Sequence, residues 1–344
     1  MKLVKSCIAM TICTLISTTS FAAEQDAVKS KEVTAKAVNE FYGKLNISIQ
    51  SSDEDGEKFN DLKSNASRVG VKGKYHLDSG LTAIYQLEWQ VNVGDDSKDS
   101  LTARNQWIGL RGDFGEITAG VSDTTLKVSQ GKFDLFNDYE GDLKHLFIGE
   151  NRETNSITYK SPTYKKLQFL ASYIISDEPE QSDPYSIGVY FGDLNLKKTN
   201  FFLSAAHDEN MPVKFVGVNS SGATNTLSES LANTRVTGMY KFGDIRLGAM
   251  LVDTEVLDLG KSETGYAVNA SYNIGSKIVA KLQFQEFAGA DSISVGADYK
   301  LGKETKVYAW YTDREGDEVI GANDFTYTLA EAGKYFAIGM EQKF

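Results

Sequence analysis

The sequence predicts an all-β chain closed as a transmembrane, antiparallel, up-and-down β-barrel of about sixteen strands. Three observations predict it. Side chains alternate between apolar and polar with period two over most of the 344 residues, which is the signature of strands with two unlike faces. Connections alternate between tight turns and long loops, as a meander closed into a barrel requires. No linker or shift in composition divides the chain, although a soluble β-protein of this length normally splits into domains.

Composition alone points elsewhere. A mean hydropathy of −0.31, and no apolar run long enough to span a bilayer after the N-terminus, exclude a helical membrane protein. With 41% hydrophobic and 11% aromatic residues and only 4 Pro, disorder is excluded as well. A net charge of −11 argues against nucleic acid as a partner, since a binder carries a basic field. These averages describe a soluble protein. Alternation explains them, because half of each barrel strand is polar and the mean conceals the apolar half.

The first element is a targeting segment. Lys2 and Lys5 precede an apolar stretch from Cys7 to Ile16, and Ser20-Phe21-Ala22 supplies small residues around a signal-peptidase site. A signal peptide over 1–22 is expected, in preference to a short amphipathic helix. Cleavage leaves 344 − 22 = 322 residues with 36 − 2 = 34 basic and 47 acidic side chains, a net −13. Cys7 and Cys13 leave with it, so disulfides, zinc–thiolate sites and cysteine catalysis are all excluded from the exported chain. Residues 23–40 then form an extension, periplasmic or lumenal, ahead of a barrel domain over 41–344.

Strands are expected to start near 41, 67, 81, 103, 117, 155, 167, 185, 196, 234, 245, 265, 277, 293, 306 and 335. The pattern is clearest where Leu81, Ala83, Tyr85, Leu87, Trp89 and Val91 alternate with Thr82, Ile84, Gln86, Glu88 and Gln90. It recurs where Ile293, Val295, Ala297 and Tyr299 alternate with Ser294, Gly296, Asp298 and Lys300. Short turns fall at 78–80, 113–116, 162–166, 193–195, 243–244, 275–276 and 302–305. Long connections fall at 51–66, 92–102, 122–154, 177–184, 208–233, 253–264, 287–292 and 314–334. Eight hairpins of about 40 residues each hold two membrane-length strands, a turn and a loop. Open strand edges are intolerable in hydrocarbon, so the sheet must close, with its apolar face toward lipid and its polar face inward.

Aromatic residues at strand ends, namely Phe41, Tyr42, Tyr75, Trp107, Tyr173, Tyr185, Tyr240, Phe242, Tyr266 and Phe336, are expected to form interfacial girdles. The last strand places Phe336, Ile338, Met340 and Phe344 in one phase, with Gln342 as the polar exception. A terminal aromatic residue on an amphipathic strand resembles the assembly signal of bacterial outer-membrane proteins, which implies that Phe344 is read by the barrel-assembly machinery.

Three segments, 67–73 (SRVGVKG), 105–120 (NQWIGLRGDFGEITAG) and 151–162 (NRETNSITYKSP), together with strand spacing and the terminal phenylalanine, resemble the general, non-specific porins of the Gram-negative outer membrane. The likeness spans nearly the whole mature chain. It implies a homotrimer of sixteen-stranded barrels in contact with outer-membrane lipids and lipopolysaccharide, and a water-filled channel for passive diffusion of ions and small hydrophilic solutes. It also implies that the third long connection folds into the lumen and narrows it. Many relatives carry a pore-facing arginine after the glycine equivalent to Gly120. Here Val121-Ser122-Asp123 follows, which weakens the basic side expected of the constriction.

On that basis Asp134, Asp138, Glu140 and Asp142 form an acidic rim on the third connection. Arg68, Lys72, Lys74, Arg111, Lys160 and Arg235, all of inward phase, form a basic wall across from it. Opposed rows of charge in a narrow aqueous gap set up a transverse field that orders water and aligns polar solutes. The acidic excess lies in loops such as 52–57, 95–96 and 177–180, and implies a modest, salt-screened preference for cations. His76, His145 and His207 lack metal-ligand spacing. No nucleophile elbow, phosphate loop or calcium loop is complete, so no cofactor, metal or catalytic residue is expected. The alternative is a substrate-selective channel or a surface adhesin or receptor on the same barrel. Phe133, Phe136 and Tyr139 are the candidates for an aromatic track.

Overall fold

The computed structural model describes residues 37–54, 56–94, 100–176, 182–219, 224–257, 260–316, 318–322, 325–328 and 332–344. The signal segment 1–22 and extension residues 23–36 lie outside the described residues, as do Asp95, Asp96 and 177–180 among the acidic loop positions. Strands run in order β1 (Val38–Glu54), β2 (Glu57–Ser64), β3 (Arg68–His76), β4 (Thr82–Val91), β5 (Leu101–Gly112), β6 (Gly115–Asp123), β7 (Arg152–Lys160), β8 (Leu167–Ile174), β9 (Tyr185–Gly192) and β10 (Phe201–Asn219). They continue with β11 (Thr224–Phe242), β12 (Ile245–Val256), β13 (Lys261–Ile274), β14 (Ile278–Phe287), β15 (Ala290–Lys300), β16 (Thr305–Glu315), β17 (Glu318–Ala322), β18 (Phe325–Thr328) and β19 (Gly333–Lys343).

Nineteen strands make a sixteen-stranded barrel. β2 and β3 pair successively with the same edge of β1, Glu54 against Glu57 at the top and Lys44 against Arg68 below, so they are two halves of one barrel strand. A break at Asn65–Ser67 separates them. Ser67 Oγ accepts from Asn46 N at 2.9 Å, and Asn65 Nδ2 donates to Ser48 Oγ at 2.9 Å. β17 and β18 form a hairpin inside the last long connection, and β18 pairs with the tip of β10. Every remaining neighbour pair is antiparallel, and β19 closes the ring against β1 from Lys44↔Lys343 to Asp53↔Lys334.

Burial confirms the inverted polarity. Outward positions are apolar and exposed, with Ile49 at 68%, Ile108 at 67% and Phe242 at 75%. Inward positions are polar and buried, as with Asn46, Ser48, Gln50 and Ser52 on β1 or Gln283, Gln285, Ser292 and Ser294 on β14 and β15. The strands begin within a few residues of their expected starts except around the 208–233 connection. There β10 and β11 extend the ladder to Val218↔Thr224, so a segment read as loop is largely paired backbone. The expected long connections 51–66 and 253–264 are also largely paired, up to Glu54↔Glu57 and Val256↔Lys261, and 287–292 is a tight turn. Ala288 and Gly289 both take positive φ, 54° and 89°, as the hairpin twist demands.

Two residues assigned to the aromatic girdles face inward instead. Tyr42 pairs with Gly70, and Trp107 with Gln86 and Gly120, all in the inward row. The ladder is regular from Gln106 to Arg111, so Trp107 shares its phase with inward Arg111, and its place near a strand end does not put it on the lipid face. Phe41, Tyr75, Tyr173, Tyr185, Tyr240, Phe242, Tyr266 and Phe336 are outward and exposed.

Barrel closure tolerates no added volume at Gly339. A Cβ there would lie 2.5 Å from the Ile47 carbonyl, which belongs to the facing backbone and cannot swing aside, and would also strike the Tyr308 hydroxyl. Gly339→Ala is expected to lower unfolding free energy by about 1–3 kcal/mol, read from urea midpoints in detergent. Gly302→Ala, whose nearest neighbouring atom would be 3.9 Å away, should leave the midpoint nearly unchanged.

Candidate functional site: the third connection and the inward charges

Residues 124–151 join β6 to β7. Thr124 caps a short helix, α1 (Thr125–Ser129), by accepting from Lys127 N at 3.2 Å, and Asp142 caps a 3₁₀ turn over Leu143–His145 by accepting from Lys144 N at 3.0 Å. Such caps satisfy amides that a short helix leaves without internal partners.

Apolar side chains give this segment a face of its own. Phe133, Leu143, Leu146 and Phe147 join a buried cluster with Leu170 of β8, Tyr190 of β9, Phe202 of β10, Met239 of β11, Met250 and Val252 of β12 and Phe287 of β14. Phe136 and Tyr139 join a second cluster with Tyr308 and Trp310 of β16 and Tyr335 and Ala337 of β19. The three aromatics proposed for a solute track are thus packed against inward-facing wall residues, Phe133 and Phe136 at 0% exposure. Burying several large side chains supplies several kcal/mol of fastening.

Polar wall residues satisfy the backbone of the connection. Asn269 Nδ2 donates to Phe133 O at 2.7 Å, Gln283 Nε2 to Gly141 O at 3.0 Å and Ser204 Oγ to Ser129 O at 2.6 Å, while Leu135 N donates to Gln283 Oε1 at 2.9 Å. Non-helical backbone at membrane depth needs such partners.

The four acidic positions have different surroundings. Asp134 accepts from the amides of Phe136 (2.9 Å) and Leu143 (3.1 Å), and Asp142 from that of Asp138 (2.7 Å), so both carboxylates brace the connection itself. Burial first, then the nearby Asp142, pushes the Asp134 carboxyl well above the usual range. Asp138 pairs with Lys44 of β1 at 2.7 Å and lies 3.6 Å from Arg68 of β3. Burial works against its charge, but Lys44 and Arg68 outweigh that and hold it below the usual carboxylate range. Glu140 lies 3.6 Å from Arg314 of β16 and 3.7 Å from His145. Burial and the neighbouring Arg314 hold the imidazole down at about 4, so it is neutral at pH 7.

The six basic positions separate into two groups. Arg68 and Arg235 are brought to the connection, Arg235 being fully buried with Glu150 at 2.7 Å. Lys72, Lys74, Arg111 and Lys160 lie nearer the short turns. Lys72 pairs with Glu40 at 3.0 Å and Arg111 with Glu116 at 2.9 Å, Lys160 stands opposite Glu116, and Lys74 is exposed.

Sequence reasoning missed Lys44, Glu88, Arg104, Asp123, Glu150, Arg152 and Arg314. Arg104 pairs with Glu88 at 2.7 Å and Arg152 with Asp123 at 2.9 Å. Lys44 was legible, since Tyr42, Lys44, Asn46, Ser48 and Gln50 alternate with outward residues. Arg104 and Arg152 lie beside irregularities of register, where counting by twos fails.

Two experiments probe this fastening. Glu150→Ala leaves the buried Arg235 guanidinium without its carboxylate and should cost about 3–5 kcal/mol. The double variant with Arg235→Met should recover most of that in the same urea titration. Asp138→Asn should cost about 2 kcal/mol at pH 7. Because the folded-state value of Asp138 is depressed, the stabilisation is present above the ordinary aspartate range and disappears as pH falls through the folded value. The difference between wild type and variant should therefore close in strong acid.

Comparison with known proteins fits this geometry. The family model described as Gram-negative porin matches residues 9–318. A monosaccharide porin of a Halomonas species is 25% identical over 325 residues, covering 86% of each chain. An anion-selective porin from Comamonas acidovorans superposes with a TM-score of 0.70 at 19% identity, covering 90% of this chain and 100% of that one. The trimer form of in-vitro-folded OmpT, an outer-membrane protein of Vibrio cholerae, gives 0.64 at 20% identity, covering 90% of this chain and 99% of that one. This chain belongs to the Gram-negative porin family, as a channel-forming β-barrel of the outer membrane.

Proposed function

We propose that this barrel is a general diffusion pore for ions and small hydrophilic solutes, narrowed by residues 124–151. One observation carries the reading. The apolar face of that segment packs along the inner wall from β8 round to β19. The arc β3–β7 keeps polar inward positions such as Gln86, Glu88, Arg104 and Thr118. A solute path then runs between that arc and the edge of the segment bearing Asp138, with Arg68 on the facing wall.

Weak cation preference is part of the proposal. Near the segment four cations are matched by carboxylates, Lys44 by Asp138, Arg104 by Glu88, Arg152 by Asp123 and Arg235 by Glu150. That leaves the net charge of the exported chain, 34 − 47 = −13, to bias the mouths by an energy on the scale of kT, screened by salt. A homotrimer is proposed from the likeness to the trimeric Vibrio structure, and contact with outer-membrane lipid and lipopolysaccharide follows from the exposed apolar belt. Phe344 is proposed as the residue recognised during barrel assembly. Nothing in the reading calls for catalysis. A monosaccharide-selective channel is the second reading, suggested by the name of the Halomonas relative, but burial of Phe133, Phe136 and Tyr139 removes the aromatic track it would use.

Planar bilayers test the proposal. Purified protein should insert in steps with linear, unsaturable conductance, and a salt gradient at low ionic strength should give a small cation-selective reversal potential. Absence of conductance would overturn the pore, whereas an anion-selective potential would overturn the ion preference alone. Three-step insertion and heat-modifiable gel migration are expected of a trimer.

A further inference from the structure

The three tryptophans have different fates. Trp89 is in the outward phase of β4. Trp310 is inward but covered, stacked on Tyr139 of the third connection with centroids 5.6 Å apart. Trp107 is inward and half-buried, on the arc that the connection leaves open. Other inward aromatics have partners: Tyr190, Phe202, Phe287, Tyr308 and Tyr335 lie in the clusters under the connection, and the Tyr42 ring lies beneath Lys72 Nζ at 4.8 Å. Among the described residues, no ring or cation covers Trp107.

Its surroundings are polar and small. On β6 the facing position is Gly120, with φ of +141°, where a Cβ would come within 2.8 Å of Trp107 Cα and still closer to the Gln106 carbonyl. That position is therefore closed to larger residues, and no side chain stands directly opposite Trp107 on that strand. Beyond it runs a chain of hydroxyls, Ser122 Oγ to Ser156 Oγ at 2.9 Å and Thr158 Oγ1 to Ser172 Oγ at 3.0 Å. On the other side Gln86 faces the indole across β4, and one row away Glu88 accepts from Arg104 Nε at 2.7 Å.

We propose that Trp107 is a stacking platform for a pyranose ring, giving the pore a weak, saturable sugar subsite. A pyranose has an apolar C–H face and an edge of hydroxyls that both donate and accept. An indole offers the first a flat, polarisable surface. Gln86, the Glu88–Arg104 pair and the hydroxyls of Ser122 and Thr158 offer the second both kinds of partner. A platform open on one side suits a transported solute, which must bind loosely enough to leave. The inference rests on the pore reading and adds a substrate class to it.

The test compares glucose with mannitol, an open-chain polyol of similar size without a ring face, in single-channel recordings at equal osmolality. Wild type should show a saturable reduction of ion current by glucose beyond that caused by mannitol. Trp107→Ala should weaken the glucose response about tenfold, and Trp107→Phe should keep most of it. If Trp107→Ala fails to insert, Trp107→Leu, apolar but not planar, is compared with Trp107→Phe and should show the loss. Equal effects of glucose and mannitol on wild type, or an unchanged glucose response without an aromatic at 107, would overturn the subsite while leaving the pore intact. A silent wild-type protein would instead strike at the pore reading itself.

Discussion

Every other feature of this protein depends on the need to pair backbone amides where there is no water to pair them. A sheet in hydrocarbon cannot keep a free edge, so β1 must find β19 although they lie at opposite ends of the described chain. The seam is a full antiparallel ladder extended to the last residue, with Gly43 N donating to Phe344 O at 2.9 Å and Phe344 N to Gly43 O at 3.1 Å. Phe344 also packs on Phe41 with ring centroids 5.9 Å apart. The C-terminal aromatic thus lies at the seam, and closure completes the lipid-facing surface as it satisfies the last amides.

Closure creates a second problem inside. A wide ring of strands cannot fill its interior with wall side chains alone, and side chains of the third connection pack against inward residues between β8 and β19. Its apolar side chains bury against inward residues that are unusual for a water-filled wall, such as Phe202, Met239, Met250 and Phe287. Its polar ends and tip are tied by buried pairs, notably Glu150 with Arg235 and Asp138 with Lys44. Desolvation makes such pairs poor sources of net stability but strong sources of specificity, because only one docking of the connection satisfies them all. Along β3–β7 the inward positions are mostly polar, among them Gln86, Glu88, Arg104 and Thr118, and belong to neither buried cluster.

How far the sequence could be read follows from which rules are local. The β-strands, their outward faces and their approximate number were legible because alternation is a property of neighbouring residues. Asp138 could be singled out as an acidic residue of a long connection, but not distinguished from Asp134 or Asp142. All three are carboxylates within nine positions, and what separates them is whether the partner is Lys44, 94 positions away, or an amide of the same segment. Lys72 and Arg68 share a phase on one strand, yet one lies nearer the turns and the other beside the connection. Height along the barrel axis depends on strand tilt and register with neighbours, which no single strand encodes. The phase of Trp107 is legible from Arg111, four positions on along a regular ladder, and the girdle assignment misses it because it rests on strand-end position alone.

Sequence by itself therefore determined the all-β class, the apolar and polar faces, the tight turns, the unusual third connection and the terminal phenylalanine. Each follows from backbone geometry and residue type over a few consecutive positions. Tertiary structure decided the seam, the pairing of β2 and β3 with one edge of β1, and the extension of β10 and β11 through a segment read as loop. It also decided which charges face each other. The physical reason is the same throughout. Alternation says that a side chain points to one of two sides, while closure, register and the docking of a distant connection decide what is on that side.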